Sequence, residues 1–154
     1  MKKFLRRTGA GLLAALLLLQ LWRPARNTLV AAGPDDINVK HPVPVRVLEV
    51  LHRACYDCHS NNTRYPWYAE VQPVRWWLDS HINDAKRHLN FSAFGTYPAK
   101  RAGKKLEELV DEVEQHTMPL RSYTWMHAEA RLTPEEVKLL TTWADSLHAE
   151  IAPP

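Results

Sequence analysis

Cys55 and Cys58 are the only two cysteines in the chain of 154 residues, they stand three positions apart, and His59 follows the second directly. On a helix that spacing turns the chain by about 300°, so both thiols face one side, one turn apart, with an imidazole beside them. The rest of the fold has to be built around whatever that turn holds. The surrounding pattern narrows the scaffold: no stretch shows the period-2 alternation of a convincing strand and no internal repeat is present, whereas helical spacing recurs.

Val47, Leu48, Val50, Leu51 and Ala54 predict a first helix from about Pro44 into the cysteine motif. Pro73 suits the first turn of a second, "VRWWLDSHINDAKRHL", with Trp77, His81 and Ala85 or Ile82 along its inner side. Leu106, Leu109, Val110 and Val113 mark a third, which begins near Pro98 and ends before Pro119. Thr133, Pro134 and Glu136 combine an N-cap, a proline at the first position and a capping-box glutamate, and open the last. Val137, Leu140, Trp143, Ala144 and Leu147 form its buried stripe. The expectation is an all-α fold of about four helices, with a long aromatic-rich loop between the last two. Most of the aromatic set Tyr65, Trp67, Tyr68, Trp76, Trp77, Tyr123, Trp125 and Trp143 is read as ordinary core.

The net charge of +3 is unevenly placed. Residues 1–33 hold six Lys or Arg and no acid, which leaves 14 basic against 17 acidic residues from Pro34 onward. A slightly acidic domain does not suit nucleic-acid binding, which needs clustered Lys and Arg to displace counterions. The leader places Lys2, Lys3, Arg6 and Arg7 before an apolar run from Thr8 to Trp22, followed by Arg23 and Arg26. It is read as an export signal or a membrane anchor through residues 4–22, with cleavage near Leu29 to Gly33 as the alternative to retention. The run falls short of the roughly 20 residues that cross a bilayer core. Pro34, Pro42 and Pro44 punctuate a linker over 34–44, and the domain itself is expected over 45–150.

In an exported all-α chain, the Cys-x-x-Cys-His spacing points to covalent attachment of a c-type haem. The two thiols match neighbouring substituents on the porphyrin edge, and His59 can swing under the ring to bind iron. A thioredoxin-like dithiol expects a βαβ context, and a structural zinc site needs further closely spaced Cys or His. A Cys55–Cys58 disulfide remains open, although so small a loop restrains little of the unfolded chain. Apart from Met1, Met118 and Met126 are the only methionines available as a second axial ligand; His81, His127 and an open face are the other options.

The stretches "CYDCHSNNTRYPWY", "VQPVRWW" and "MPLRSYTWMHAEARLT", with the terminal helix around Trp143, carry a family resemblance over roughly Pro44 to Leu147. The chain resembles the exported bacterial c-type haem-binding domain family, in the style of monohaem cytochromes c. The resemblance implies one covalent haem c held by Cys55, Cys58 and His59. It also implies Met118, beside Pro119 in the loop before the closing helix, as the sixth ligand. Small cytochromes c often use a Gly-Pro step to offer a carbonyl to the histidine; this chain has none, and a carbonyl at Pro66 or Pro73 is expected instead. The expected activity is single-electron transfer at the periplasmic face of the inner membrane, with a membrane-associated redox protein as partner and no substrate chemistry. The alternatives are a haem-based sensor or ligand-binding module with a displaceable sixth ligand, and a non-haem helical interaction domain whose Cys55 and Cys58 form only a disulfide.

Overall fold

The computed structural model describes residues 1–29 and 32–152. Among them it contains eight α-helices and three 3-10 turns, and no strand beyond an isolated antiparallel bridge between Thr28 and Asn62. They run in order α1 (Lys2–Leu19), α2 (Ile37–Lys40), α3 (Val45–Ala54), α4 (Tyr56–His59), α5 (Val74–His88), α6 (Ala99–Glu114), α7 (Arg121–Met126) and α8 (Pro134–Ile151). The all-α expectation holds, but the number of about four is corrected to eight. The expected helices appear as α3, α5, α6 and α8. Besides the leader helix α1, the additional ones are α2, α4 and α7, each of only one or two turns, too short for a 3.6-residue period to show in the sequence.

α6 and α8 pack side by side. Leu106 and Val113 of α6 join Leu140, Trp143, Ala144 and Leu147 of α8 in one buried cluster, which Val47, Val50 and Leu51 of α3 complete. Gly103 permits the close approach: a Cβ there would stand 2.7 Å from Cβ of Ala152. The capping box of α8 forms as expected, Glu136 N donating to Thr133 Oγ1 (3.3 Å) and Thr133 N to Glu136 Oε2 (3.0 Å). Arg53, at the end of α3, pairs with Glu136 at 2.5 Å and ties the helix ahead of the motif to the closing helix.

The stretch read as a linker contributes to this core. Asp36 caps α2 by accepting from Asn38 N (3.0 Å), and Ile37 is fully buried. The aromatic expectation is overturned for most of its members. Only Trp143 of the eight is buried, whereas Trp67 and Trp125 are 77% and 79% exposed. The aromatic core is made by Tyr56, Phe91 and Phe94, with Tyr56 stacked on Phe91 at 5.1 Å. α1 buries none of its residues, and no helix among the described residues is long and apolar enough to cross a membrane.

Candidate functional site

The cysteine motif does not continue α3. Cys55, at φ −126° and ψ −42°, ends α3 and begins α4, so the helix expected to run into the motif is two helices with a break at the first cysteine. Cys58 N and His59 N both donate to Cys55 O, at 3.1 and 2.9 Å, and close the new turn. Both thiols are free. Burial pushes Cys55 up to about 12 and Cys58 up to about 11, each with a further push from a neighbouring group, Cys58 in the first case and Asp57 in the second.

His59 is held by a helix end. α5 stops at Leu89, whose extended backbone turns its carbonyl out of the helical ladder, and Leu89 O lies 2.9 Å from His59 Nδ1. A carbonyl only accepts, so Nδ1 carries the proton and the Nε2 lone pair is free. Burial lowers the His59 pKa against the opposing pull of that hydrogen bond, and the ring is neutral in the state a metal requires. The partner expected at Pro66 or Pro73 is therefore Leu89, a backbone group that no side-chain pattern could reveal.

Cys55 and His59 line a cleft of about 260 Å³ together with Leu89, Phe91, Leu109, Val113, Met118 and Pro119. Met118 reaches it through the way α6 ends. His116 takes a left-handed φ of 56°, His116 N donates to Val113 O (3.2 Å), and Thr117 N donates to Glu112 O (3.1 Å). This is a Schellman turn with histidine in the position glycine usually fills. Met118 N also donates to Glu112 O (3.2 Å), which fixes the backbone where the chain leaves the turn. Cys58 lines a second cleft of about 260 Å³ with Tyr68, Trp77, Leu120, Tyr123 and Met126. Pro119 borders the first cleft and Leu120 the second. The structure thus brings Cys55, His59 and Met118 to one cleft and, against the expectation that both thiols face one side, places Cys58 on the other with Met126, which is half exposed.

The alternative histidines lie away from the first cleft, His81 on the lining of the second. His127 Nε2 lies 2.8 Å from the Tyr68 hydroxyl, and its ring stacks on Tyr123 at 4.4 Å. His81 packs on Trp77 at 4.2 Å, with Nδ1 2.8 Å from Trp77 O. Among the described residues, no three His, Cys, Asp or Glu side chains gather as a metal cluster.

Asp57, inside the motif, is a residue that sequence reasoning missed. It is buried, and its carboxylate accepts from Arg64 N (3.0 Å), Arg64 Nε (3.1 Å), Arg64 Nη2 (3.2 Å) and the Tyr123 hydroxyl (2.8 Å). Burial and this bond raise the Tyr123 pKa, so the phenol keeps its proton and donates. Asp57 therefore ties the motif to α7, the helix just beyond Met118. An acid between two cysteines that face apolar clefts was the available signal.

These features define a small helical domain with two thiols, a neutral imidazole and a thioether gathered along apolar clefts. The chain matches the haem-binding domain family over residues 14–146 and belongs to it. Comparison with curated proteins and with solved structures found no match. The residues present suit a haem: an imidazole with its distal nitrogen free, a thioether in the same cleft, and a largely apolar lining that also includes His88, Lys105, Glu108 and Glu112. Each cleft, at about 260 Å³, lies just below the roughly 300–1,000 Å³ typical of small-molecule sites.

Proposed function

We propose that this haem-binding domain is a monohaem c-type cytochrome that carries single electrons outside the cytoplasm and transforms no substrate. Cys55 and Cys58 would hold the haem through thioethers, with His59 and Met118 as axial ligands. When bound, the haem supplies one-electron cycling of its iron; the protein holds and shields it. Leu89 O keeps the proton on His59 Nδ1 and so orients Nε2. Phe91, Leu109 and Val113 exclude water from the cleft, and the Schellman turn at His116 presents Met118. A membrane-associated redox protein is the expected partner. The observation that carries the reading is the meeting of Cys55, His59 and Met118 in one apolar cleft with His59 already in the ligating tautomer.

The test is the optical spectrum, oxidised, reduced, and reduced under carbon monoxide, of protein exported by a host that attaches haem. The expected result is a low-spin spectrum with a ferric methionine-to-iron charge-transfer band and no response to carbon monoxide. Met118→Ala should abolish that band and open the reduced iron to carbon monoxide. Carbon monoxide binding by the unaltered protein would replace the electron carrier by a sensor with a displaceable ligand. A spectrum unchanged in Met118→Ala would refute Met118 as ligand. Absence of a covalent haem stain after denaturation would leave only a helical domain with two thiols free to form a disulfide.

A further inference from the structure

Residues 20–29 were expected to belong to a leader, yet they are hydrogen-bonded into the domain. Asn27 uses every polar atom it has. Its Nδ2 donates to Ser60 O (2.8 Å) and Thr63 Oγ1 (2.9 Å), and its Oδ1 accepts from Lys86 Nζ (2.6 Å). Its backbone N donates to the Tyr65 hydroxyl (2.9 Å), and its carbonyl accepts from Thr63 N (2.8 Å). Leu29 N donates to Asn61 O (2.8 Å). All these partners except Lys86 lie in the loop that follows His59.

Nearer α1, the domain grips the chain by its backbone. Gln72 Nε2 and Trp76 Nε1 donate to Trp22 O, at 2.7 and 3.0 Å, and Arg75 Nη2 donates to Pro24 O at 2.7 Å. Gln72 N donates to Gln20 Oε1 at 2.9 Å. Gln72 and Arg75 are only 2% and 4% exposed, two buried polar side chains that each donate to a carbonyl of residues 20–29. Arg23 and Arg26, the two basic residues that sit awkwardly behind a cleavable signal, both pair with Glu70.

We propose that residues 20–29 are a permanent strap of the folded domain, so that the leader is retained and α1 holds the protein on a lipid bilayer. The proposal rests on export of the domain, as the electron-transfer reading does. The occupant of the exposed α1 surface is lipid rather than protein. Leu12, Leu13, Leu16, Leu17 and Leu18 are open to solvent and no residue of the helix is buried, while Lys2, Lys3, Arg6 and Arg7 match anionic headgroups. Since α1 is too short in apolar length to cross a bilayer unaided and the strap leaves no slack behind it, the domain sits on the headgroups. Trp22, in the strap, and Trp67 are both exposed and are the residue type that favours that depth. The expected cleavage stretch, Leu29 to Gly33, includes Val30 and Ala31, which lie outside the described residues; a cut there would sever the strap from the domain it completes.

The test is N-terminal sequencing and intact mass of the full chain after export in a host with signal peptidase, with the membrane fraction washed in high salt and carbonate. The expected species retains residues 20–29 and α1, and only detergent releases it. A haem-stained species that begins between residues 29 and 34, folded and free of the membrane, would overturn the proposal. A second measurement uses a protease site inserted after Gly33 in the full chain. Cutting and removing the leader should lower the urea midpoint by about 1 M, and an unchanged midpoint would overturn the strap. A retained leader on a chain without haem would support the strap and refute electron transfer, so the two readings fail separately.

Discussion

Replacing Asp57 by Asn keeps the shape of the side chain and removes its charge. With the amide oxygen at the Oδ1 position, Arg64 N and Nε still find an acceptor. The amide nitrogen then faces Arg64 Nη2 and the Tyr123 hydroxyl, both donors in the native arrangement. Tyr123 can rotate its proton away and accept; Arg64 cannot. Hydrogen bonds to a charged group contribute about 1.5–3 kcal/mol each against about 0.5–1.5 for neutral ones. The loss is one bond and the charge assistance on the others, discounted because the Arg64 side chain is 67% exposed and screened by water. The expected cost is about 2–3 kcal/mol, read as a fall in the urea midpoint of the full chain at an unchanged slope. Tyr123→Phe alone should cost about 1 kcal/mol. The double variant should fall short of the sum, because Asp57→Asn already removes the charge assistance from the bond that Tyr123→Phe deletes. A shift for Asp57→Asn below about 0.5 kcal/mol, or strict additivity with Tyr123→Phe, would refute the view that this carboxylate joins the motif to α7.

Leu140→Ala, at a fully buried position of the α6–α8 cluster, should cost about 3 kcal/mol in urea unfolding. His116→Gly should raise stability by about 0.5–1 kcal/mol, since glycine takes a left-handed φ without the penalty that histidine carries; a loss would mean that His116 makes contacts worth more than the strain. At Glu136, burial alone would raise the carboxyl, but the Thr133 N–H and the Arg53 guanidinium together hold it below the usual carboxylate range. A depressed carboxyl stabilises the fold fully above its unfolded pKa, about 4.3, and loses that contribution as pH falls through the lower folded value. Stability measured from pH 6 downward should therefore fall more shallowly in Glu136→Gln than in the unaltered chain.

The parts of the fold that were legible in the sequence are those built from helix faces. Leu106 and Val113 on α6, and Leu140, Trp143, Ala144 and Leu147 on α8, repeat often enough for the 3.6-residue period to mark the buried side, and Thr133 with Glu136 marks a start by chemistry alone. The aromatic residues misled because Trp67 and Trp125 are as apolar as Phe91 and Phe94, and only their three-dimensional neighbours decide which are covered. The Cys-x-x-Cys-His motif was visible because its spacing is local. The placement of Met118 in the cleft with His59 came from family likeness, since no local pattern links positions so far apart. The strap at residues 20–29 was hidden by its position directly behind an apolar run, where a leader is the ordinary reading. Its bonds to Gln72 and Arg75 run mostly from side chains to backbone carbonyls, which leave no trace in sequence.

The face of α6 walls the cleft with Leu109 and Val113, but the groups that the site uses come from helix ends. α3 stops at Cys55, α5 stops at Leu89 and α6 stops at Gln115, and each termination releases the group the site uses: a thiol and then an imidazole, a carbonyl for that imidazole, and a thioether. A helix that ran one turn further would satisfy its own carbonyl or carry its side chain past the cleft. His116 makes this testable, because its left-handed backbone is what sends Thr117 and Met118 back toward Glu112. His116→Gly should keep the turn and leave the proposed methionine charge-transfer band unchanged while stability rises. His116→Val places a β-branched residue where left-handed φ is most costly, and should weaken both the band and the fold. If His116→Val lowered stability but left the band intact, Met118 would owe its position to the loop from Pro119 onward, and the end of α6 would be a stabilising turn with no part in presenting the ligand.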